Sequence, residues 1–330
     1  MKIEAGDFCD RLKKNGVSLV CGVPDSLLKN LISCIGDKFE KHIITANEGN
    51  AVALAAGHYL AASKPAAVYL QNSGLGNCVN PILSLTDKDV YKIPLLMIIG
   101  YRGEPDTKDE PQHYKQGLLT PPLLECMDIK YKIFDSLADI DNAFKYMAET
   151  GEPFALVIRK DTFMPYCSSK PEIEENLPDR ESAITTIAET AGDKDIFVST
   201  TGMISRELYE YRKNNGLKPQ DFLTVGSMGH ASSIACGIAL EKPDRNVIIL
   251  DGDGASLMHM GSIPVIASLS LPNIKHILLN NGAHDSVGGQ PTIGRNFNFT
   301  ELAKISGYSF TARVSSIEKL KENLQYALSH

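Results

Sequence analysis

Short apolar runs recur along the chain, each followed by a polar cluster or a helix-forming stretch. In the first half they fall at 17–21, 66–70, 95–99 and 154–158, and in the second at 196–199, 246–250 and 274–279. Continuous runs of this length predict strands buried on both faces, as in a parallel sheet. The alanine-rich stretch 43–60 predicts a close-packed helix capped by Asn47, with Glu48 in its first turn, where the helix dipole favours a carboxylate whatever its role. Residues 316–328 predict an amphipathic helix, after which the chain stops where such a unit normally adds a strand, so a shortened C-terminus is expected. Strands alternating with helices give two α/β units. Their expected spans are 1–168 and 182–330, joined by a polar, proline-bearing linker at 169–181.

Two strands of the second unit end in polar clusters. Val247-Ile-Ile-Leu250 leads into Asp251-Gly252-Asp253-Gly254, and His276-Ile-Leu-Leu279 leads into Asn280-Asn281. Both clusters are expected at the carboxyl edge of one parallel sheet, where α/β folds bind ligands. Asp253 offers a hard carboxylate and Asn281 a neutral amide oxygen. The flanking glycines allow close backbone approach, so the pair suits Mg²⁺ in the company of phosphate oxygens.

The composition narrows the partners. The 330 residues exceed what one core usually holds, and 43% hydrophobic with 22% charged residues is the balance of a globular protein. A net charge of −7 without a basic stretch argues against nucleic acid and anionic membranes, so an anionic cofactor needs a local cation. No run is long enough to span a bilayer and the N-terminus has no apolar signal core, which places the expected site of action in the cytoplasm. Seven scattered cysteines, odd in number and without CxxC, indicate neither a disulfide framework nor a zinc site. No strand is followed by GxGxxG with an acidic residue about 20 positions on, which weighs against a nucleotide-binding oxidoreductase.

The Gly252-Asp253-Gly254 motif, 25 residues (255–279) and then Asn280-Asn281 resemble the signature of thiamin diphosphate enzymes. The resemblance implies that Asp253, Asn281 and the carbonyl of Ala283 coordinate Mg²⁺, with Gly252, Gly254 and Ala255 beside the diphosphate. It implies that Glu48 bonds the aminopyrimidine ring, and that Ser73 and Gly74, within Asn72-Ser73-Gly74-Leu75-Gly76-Asn77, form a Gly-rich loop beside the cofactor. In Val225-Gly226-Ser227-Met228-Gly229, the Gly226 carbonyl corresponds to the acceptor of the pyrimidine amino group, and Met228 to the apolar wedge that bends the cofactor. Gly22-Val-Pro24-Asp25-Ser26 resembles the loop bearing an active-site Asp or Ser. His113 lies where the family has active-site histidines.

The resemblance covers nearly the whole chain: a pyrimidine-binding half followed by a diphosphate-binding half, without the middle domain of the larger 2-oxo-acid decarboxylases. That compact arrangement is similar to the branch of the family acting on phosphonopyruvate and sulfopyruvate. The segments 284–292 and 109–117 look most like the phosphonopyruvate enzymes. The activity implied is non-oxidative decarboxylation, with Asp25 and His113 as candidate proton donors and orienters. Ser26, Arg102, Lys108, Lys115, His284, Ser286 and Gln290 are candidates for the substrate anion. Sulfonate and phosphonate share a tetrahedral shape and differ chiefly in charge, so the sequence separates the two substrates poorly. A homodimer is the least assembly implied, Glu48 coming from one copy and Asp253 from the other. A non-catalytic homologue is disfavoured by the joint presence of Glu48, Asp253 and Asn281.

Overall fold

The computed structural model describes residues 2–168, 177–217 and 220–330. The chain divides into two compact units, Met1–Glu172 with Val287–Gln290, and Ile173–Ser286 with Pro291–His330. Most of the expected linker, 169–176, lies outside the described residues. Its end is helical, because Asp179 caps a helix that starts at Arg180.

The first unit runs α1 (Ala5–Lys14), β1 (Leu19–Gly22), α2 (Lys29–Lys38), β2 (Lys41–Ile44), α3 (Glu48–Ala62), β3 (Ala67–Gln71), α4 (Leu75–Pro81), β4 (Leu96–Gly100), α5 (Pro111–Cys126), β5 (Lys130–Ile133), α6 (Ala138–Thr150) and β6 (Phe154–Ile158). Its strands form one parallel sheet in the order β2-β1-β3-β4-β6-β5. Successive side chains of a strand face opposite ways, and the sheet is covered on both sides. Val20, Tyr69, Ile98 and Leu156 pack with α1, α2 and α6. Cys21, Val68, Ile99 and Val157 pack with α3 and α4. This double burial explains why the four central strands read as unbroken apolar runs. The edge strands β2 and β5 alternate exposed and half-buried positions and carry lysines, so they lack that signal.

The second unit runs α7 (Arg180–Thr190), β7 (Ile196–Ser199), α8 (Met203–Asn214), β8 (Phe222–Leu223), α9 (Ala231–Glu241), β9 (Val247–Gly252), α10 (Asp253–Met258), α11 (Ser262–Ser268), β10 (Ile274–Leu279), α12 (Phe299–Ser306) and α13 (Ile317–Ser329). Its parallel sheet has the order β10-β9-β7-β8. Phe197, Ile248 and Leu250 pack with α7, α8 and α13 on one face, and Val198 and Ile249 meet the alanine stripe of α9 on the other. No helix of the described residues is long and apolar enough to cross a membrane.

In both sheets the strand order reverses at the first strand, between β1 and β3 and between β7 and β9. At such switch points the loops leaving the carboxyl ends diverge and leave a crevice for ligand. Asp25 follows β1, Ser73 and Gly74 follow β3, and Asp253 follows β9, whereas Glu48, Met228 and Asn281 follow the neighbouring β2, β8 and β10.

Candidate functional site

In the first unit three neighbouring strands deliver the polar residues. The loop after β1 carries Asp25 and Ser26, the turn after β3 carries 72–74, and the loop after β4 carries Arg102. The stretch expected as a Gly-rich loop is helical: Asn72–Gly74 forms a 3-10 turn that runs directly into α4. Ser73 is exposed and accepts from Gln71 Nε2 at 2.6 Å. Glu48 opens α3, whose N-cap Asn47 accepts from the Asn50 N–H. Its side chain is only 5% exposed, and Oε2 accepts from Asn77 Nδ2 at 2.7 Å. Gly74 lies so close that a Cβ there would meet Glu48 Cγ at 2.6 Å. A glycine is thus required for the carboxylate to occupy its seat.

Asp25 is fully buried against Gly100 at the end of β4. Its Oδ2 accepts from the Leu27 N–H at 3.1 Å, and its Oδ1 has no partner among the described residues. Burial pushes the carboxyl up to about 6, against the pull of the Arg102 guanidinium and the N–H groups of Leu27, Ser26 and Leu28. Arg102 donates through Nη1 to Ser26 Oγ at 2.8 Å and through Nε and Nη2 to Asp109. Asn72 clamps the Arg102 backbone by donating to its carbonyl at 2.8 Å and accepting from its N–H at 3.2 Å, and also donates to Thr120 of α5. His113, in the first turn of α5, has a buried Nδ1 without a partner among the described residues. Burial and then Arg102 hold its pKa below the usual value, with Asp109 and Glu110 pulling the other way. Lys108 and Lys115 are exposed. Gln290 groups with this unit and reaches Ser33 Oγ at 3.4 Å.

In the second unit β9 extends past the apolar run to Gly252, so Asp251 is a strand residue, and Asp253 opens α10. Asp251 faces inward, with Oδ2 3.3 Å from His276 Nε2. Asp253 is 2% exposed. Burial raises its pKa, opposed by the Thr292 hydroxyl and the N–H groups of Asp253, Gly254 and Asn281. Asn280 donates to the Gly294 carbonyl at 2.7 Å and accepts from the Gly282 N–H at 3.0 Å. The Asn281 side chain is exposed and its oxygen accepts from the Ala283 N–H at 3.0 Å, while its backbone is turned to Asp253. The His284 ring rests on Gly254, and burial lowers its pKa to about 4, which keeps it neutral. Ser286 is exposed, beside Gly202. Gly226 follows Val225, whose carbonyl accepts from Thr201 Oγ1 at 3.1 Å. Met228, Gly252, Asp253, Ala255, Asn281 and His284 line one cleft of about 950 Å³.

The donors around Asp253 bear on the metal. Among the described residues no group of three or more His, Cys, Asp or Glu is arranged to hold an ion. One buried carboxylate with amide and backbone oxygens is a hard, incomplete set, the kind Mg²⁺ takes when phosphate and water complete its shell. An anionic ligand at the N-terminus of α10 would also share that end with the buried Asp253 carboxylate, a like-charge pair that a divalent cation relieves.

The sequence has counterparts among known proteins. Phosphonopyruvate decarboxylase of Streptomyces viridochromogenes is 34% identical over 99% of this chain and 86% of its own length. The chain belongs to the thiamin diphosphate-dependent decarboxylases. The thiamine pyrophosphate enzyme N-terminal TPP binding domain matches residues 5–121, and the C-terminal TPP binding domain matches 198–330. Phosphonopyruvate decarboxylase of Streptomyces hygroscopicus is 32% identical over 99% of the chain and 85% of its own length. Sulfopyruvate decarboxylase of Methanosarcina acetivorans is 32% identical over 94% and 84%. This decarboxylase therefore carries both cofactor-binding domains. The intervening 122–197 completes the first sheet and opens the second, with no third compact unit among the described residues.

Residues not singled out from sequence hold several of these groups in place: Asn72, Asn77, Asp109 and Thr292. All four sit inside stretches quoted for their motifs, and the signal that marks them is an amide, carboxylate or hydroxyl within a few positions of a glycine turn.

Proposed function

We propose that the protein decarboxylates 3-phosphonopyruvate to phosphonoacetaldehyde and CO₂, using thiamin diphosphate and Mg²⁺. The observation that carries the reading is the buried Glu48 carboxylate at the first turn of α3, seated on Gly74 and held by Asn77. A carboxylate fixed there suits a group that must hold a hydrogen bond to an aminopyrimidine. The near full-length similarity to phosphonopyruvate decarboxylases supports the substrate. The cofactor, when bound, supplies a carbanion nucleophile and an electron sink for the departing carboxylate's electrons.

The chain's own residues supply orientation and proton handling. Glu48 holds the pyrimidine ring, with the Gly226 carbonyl as acceptor for its amino group and Met228 as apolar support. Asp253, Asn281 and the Ala283 carbonyl hold Mg²⁺ against the diphosphate, flanked by Gly252, Gly254 and Ala255. Asp25 sits near the pKa at which it exchanges a proton around neutrality, and neutral His113 offers a second site for proton transfer. Arg102 and Ser26, joined at 2.8 Å, offer donors to the substrate anion, as does His284. We read the spans 1–168 and 182–330 as the pyrimidine and diphosphate domains. The working assembly is at least a homodimer, in keeping with sulfopyruvate decarboxylases whose names carry alpha and beta subunits, and it works in the cytoplasm.

The deciding experiment is aldehyde and CO₂ release from phosphonopyruvate, sulfopyruvate and pyruvate, with cofactor and Mg²⁺ present and then omitted. Cofactor-dependent turnover favouring phosphonopyruvate is expected. Preference for sulfopyruvate would keep the chemistry and replace the substrate, a second reading that the Methanosarcina relative supports. Turnover of none would sink the reading. Glu48→Gln is expected to bind cofactor yet lose turnover. Asp253→Ala is expected to lose Mg²⁺-dependent cofactor binding, measured by calorimetry.

A further inference from the structure

The loop after β4 contains an ion pair, Arg102 with Asp109, of which the proposed chemistry uses only Arg102. Asp109 grips Arg102 on two sides, taking Nε–H at 2.9 Å and Nη2–H, and its carboxylate also accepts the Gly103 N–H at 2.7 Å and the Glu110 N–H at 2.8 Å. Four donors on one half-buried carboxylate make a rigid anchor. Burial opposes the charge, yet the donors win and hold Asp109 ionised, its pKa well below the carboxylate range. Only the Nη1 edge of Arg102 is left to point elsewhere, and it donates to Ser26 Oγ at 2.8 Å, next to Asp25. Asn72 fixes the Arg102 backbone from the other side. The guanidinium thus has one seat.

We propose that Asp109 is a positioning residue: by gripping the Arg102 fork it keeps the guanidinium on Ser26, where its charge sets how tightly Asp25 and His113 hold their protons. This inference rests on the decarboxylase reading only for its choice of Asp25 and His113 as working groups. The charged groups acting on Asp25 and His113 are few. Arg102 is the charge that acts most on Asp25, beside the N–H groups of Leu27, Ser26 and Leu28. Arg102, Asp109 and Glu110 act on His113. Arg102 favours the ionised carboxylate and the neutral imidazole together. Were it to swing away, the carboxyl would keep its proton to higher pH and the imidazole would take one up more readily.

The sign of the effect separates positioning from simple charge. Deleting an anion, taken alone, lowers the pKa of a neighbouring carboxyl. Releasing a nearby cation raises it, by about one unit. The test is a ¹³C NMR titration of the full-length, cofactor-loaded enzyme labelled at the aspartate carboxyl, with the Asp25 signal assigned from Asp25→Asn. Asp109→Ala is expected to raise the Asp25 midpoint by about one unit, Arg102→Met to raise it at least as far, and Asp109→Glu to raise it less. An unchanged or lowered midpoint in Asp109→Ala, with Arg102→Met raising it, would overturn the inference. If Asp109→Ala does not fold, Asp109→Asn carries the same expectation and the same refutation. The titration needs no turnover, so its failure is distinct from failure of the aldehyde assay.

Discussion

Gly74→Ala isolates the seating of Glu48 from its chemistry. The added Cβ would stand 2.5 Å from Glu48 Cδ and 2.6 Å from Cγ, roughly 1 Å inside ordinary carbon–carbon contact. Glu48 is buried and tied to Asn77, so the strain has two outlets, a shift of the carboxylate or of the 72–74 turn. Overpacking of this kind costs about 1–3 kcal/mol, and misplacing a working group by about 1 Å can cost about 100-fold in rate. The expected result is therefore a stability loss of about 2 kcal/mol with turnover down by about two orders of magnitude, and cofactor still bound. The decisive comparison is the double variant Gly74→Ala with Glu48→Ala, in which the methyl finds the space left by the carboxylate. Its urea midpoint should recover most of the loss relative to Glu48→Ala alone, the non-additivity expected of two groups in contact. An equal stability cost of Gly74→Ala in both backgrounds, or wild-type turnover in the single variant, would refute the reasoning.

Two further outcomes follow from buried polar groups. The folded state holds the Asp25 proton up to about 6, whereas the unfolded chain releases it near the ordinary carboxylate value of about 3.9. More protons are then bound folded than unfolded, so this group's contribution falls as pH rises between about 4 and 6, by roughly 3 kcal/mol in all. Thermal unfolding against pH should show that fall in wild type and not in Asp25→Asn, and an identical slope in both would contradict it. Asn72→Ala removes the Asn72 donor to the Arg102 carbonyl and leaves the Arg102 N–H only the Gly100 carbonyl at 3.2 Å, at an expected cost of about 2 kcal/mol. A change in unfolding free energy under about 0.5 kcal/mol would show that the clamp is not needed.

The central strands were legible because a parallel sheet buried on both faces leaves no choice but aliphatic residues. Four-residue edge strands such as β2 and β5 were not, since half their positions face water and lysine is as good there as valine. The helix start at Glu48 and the strand-to-helix junction at Asp253 were legible for a different reason: capping and glycine chemistry leave local marks. The clamps were not, because Asn72, Asp109 and Thr292 act on partners 30, 7 and 39 positions away. An amide or carboxylate in a loop looks the same whether it is solvated or closes a network. Only the fold assigns the partner, and so the sequence named Arg102 as a donor without revealing that Asp109 had already claimed most of it.

Glu48 and Asp253 make the same point about the site itself. Each is the first residue of a helix, α3 and α10, and each is almost fully buried, so the helix dipole favours its charge while desolvation opposes it. Their surroundings then divide them. Among the described residues Glu48 has one side-chain donor, Asn77, and its other oxygen packs against Gly74. Asp253 is held by the Thr292 hydroxyl and backbone N–H groups from two segments, with Asn280 pinning the turn beside it. A carboxylate with one donor is free to exchange hydrogen bonds with a ligand that gains and loses protons. One held by a hydroxyl and several N–H groups has fewer positions open to such exchange. Two residues in equivalent helical positions thus differ in the donors around them, a difference that suits the roles proposed above for Glu48 at the pyrimidine and Asp253 at the metal.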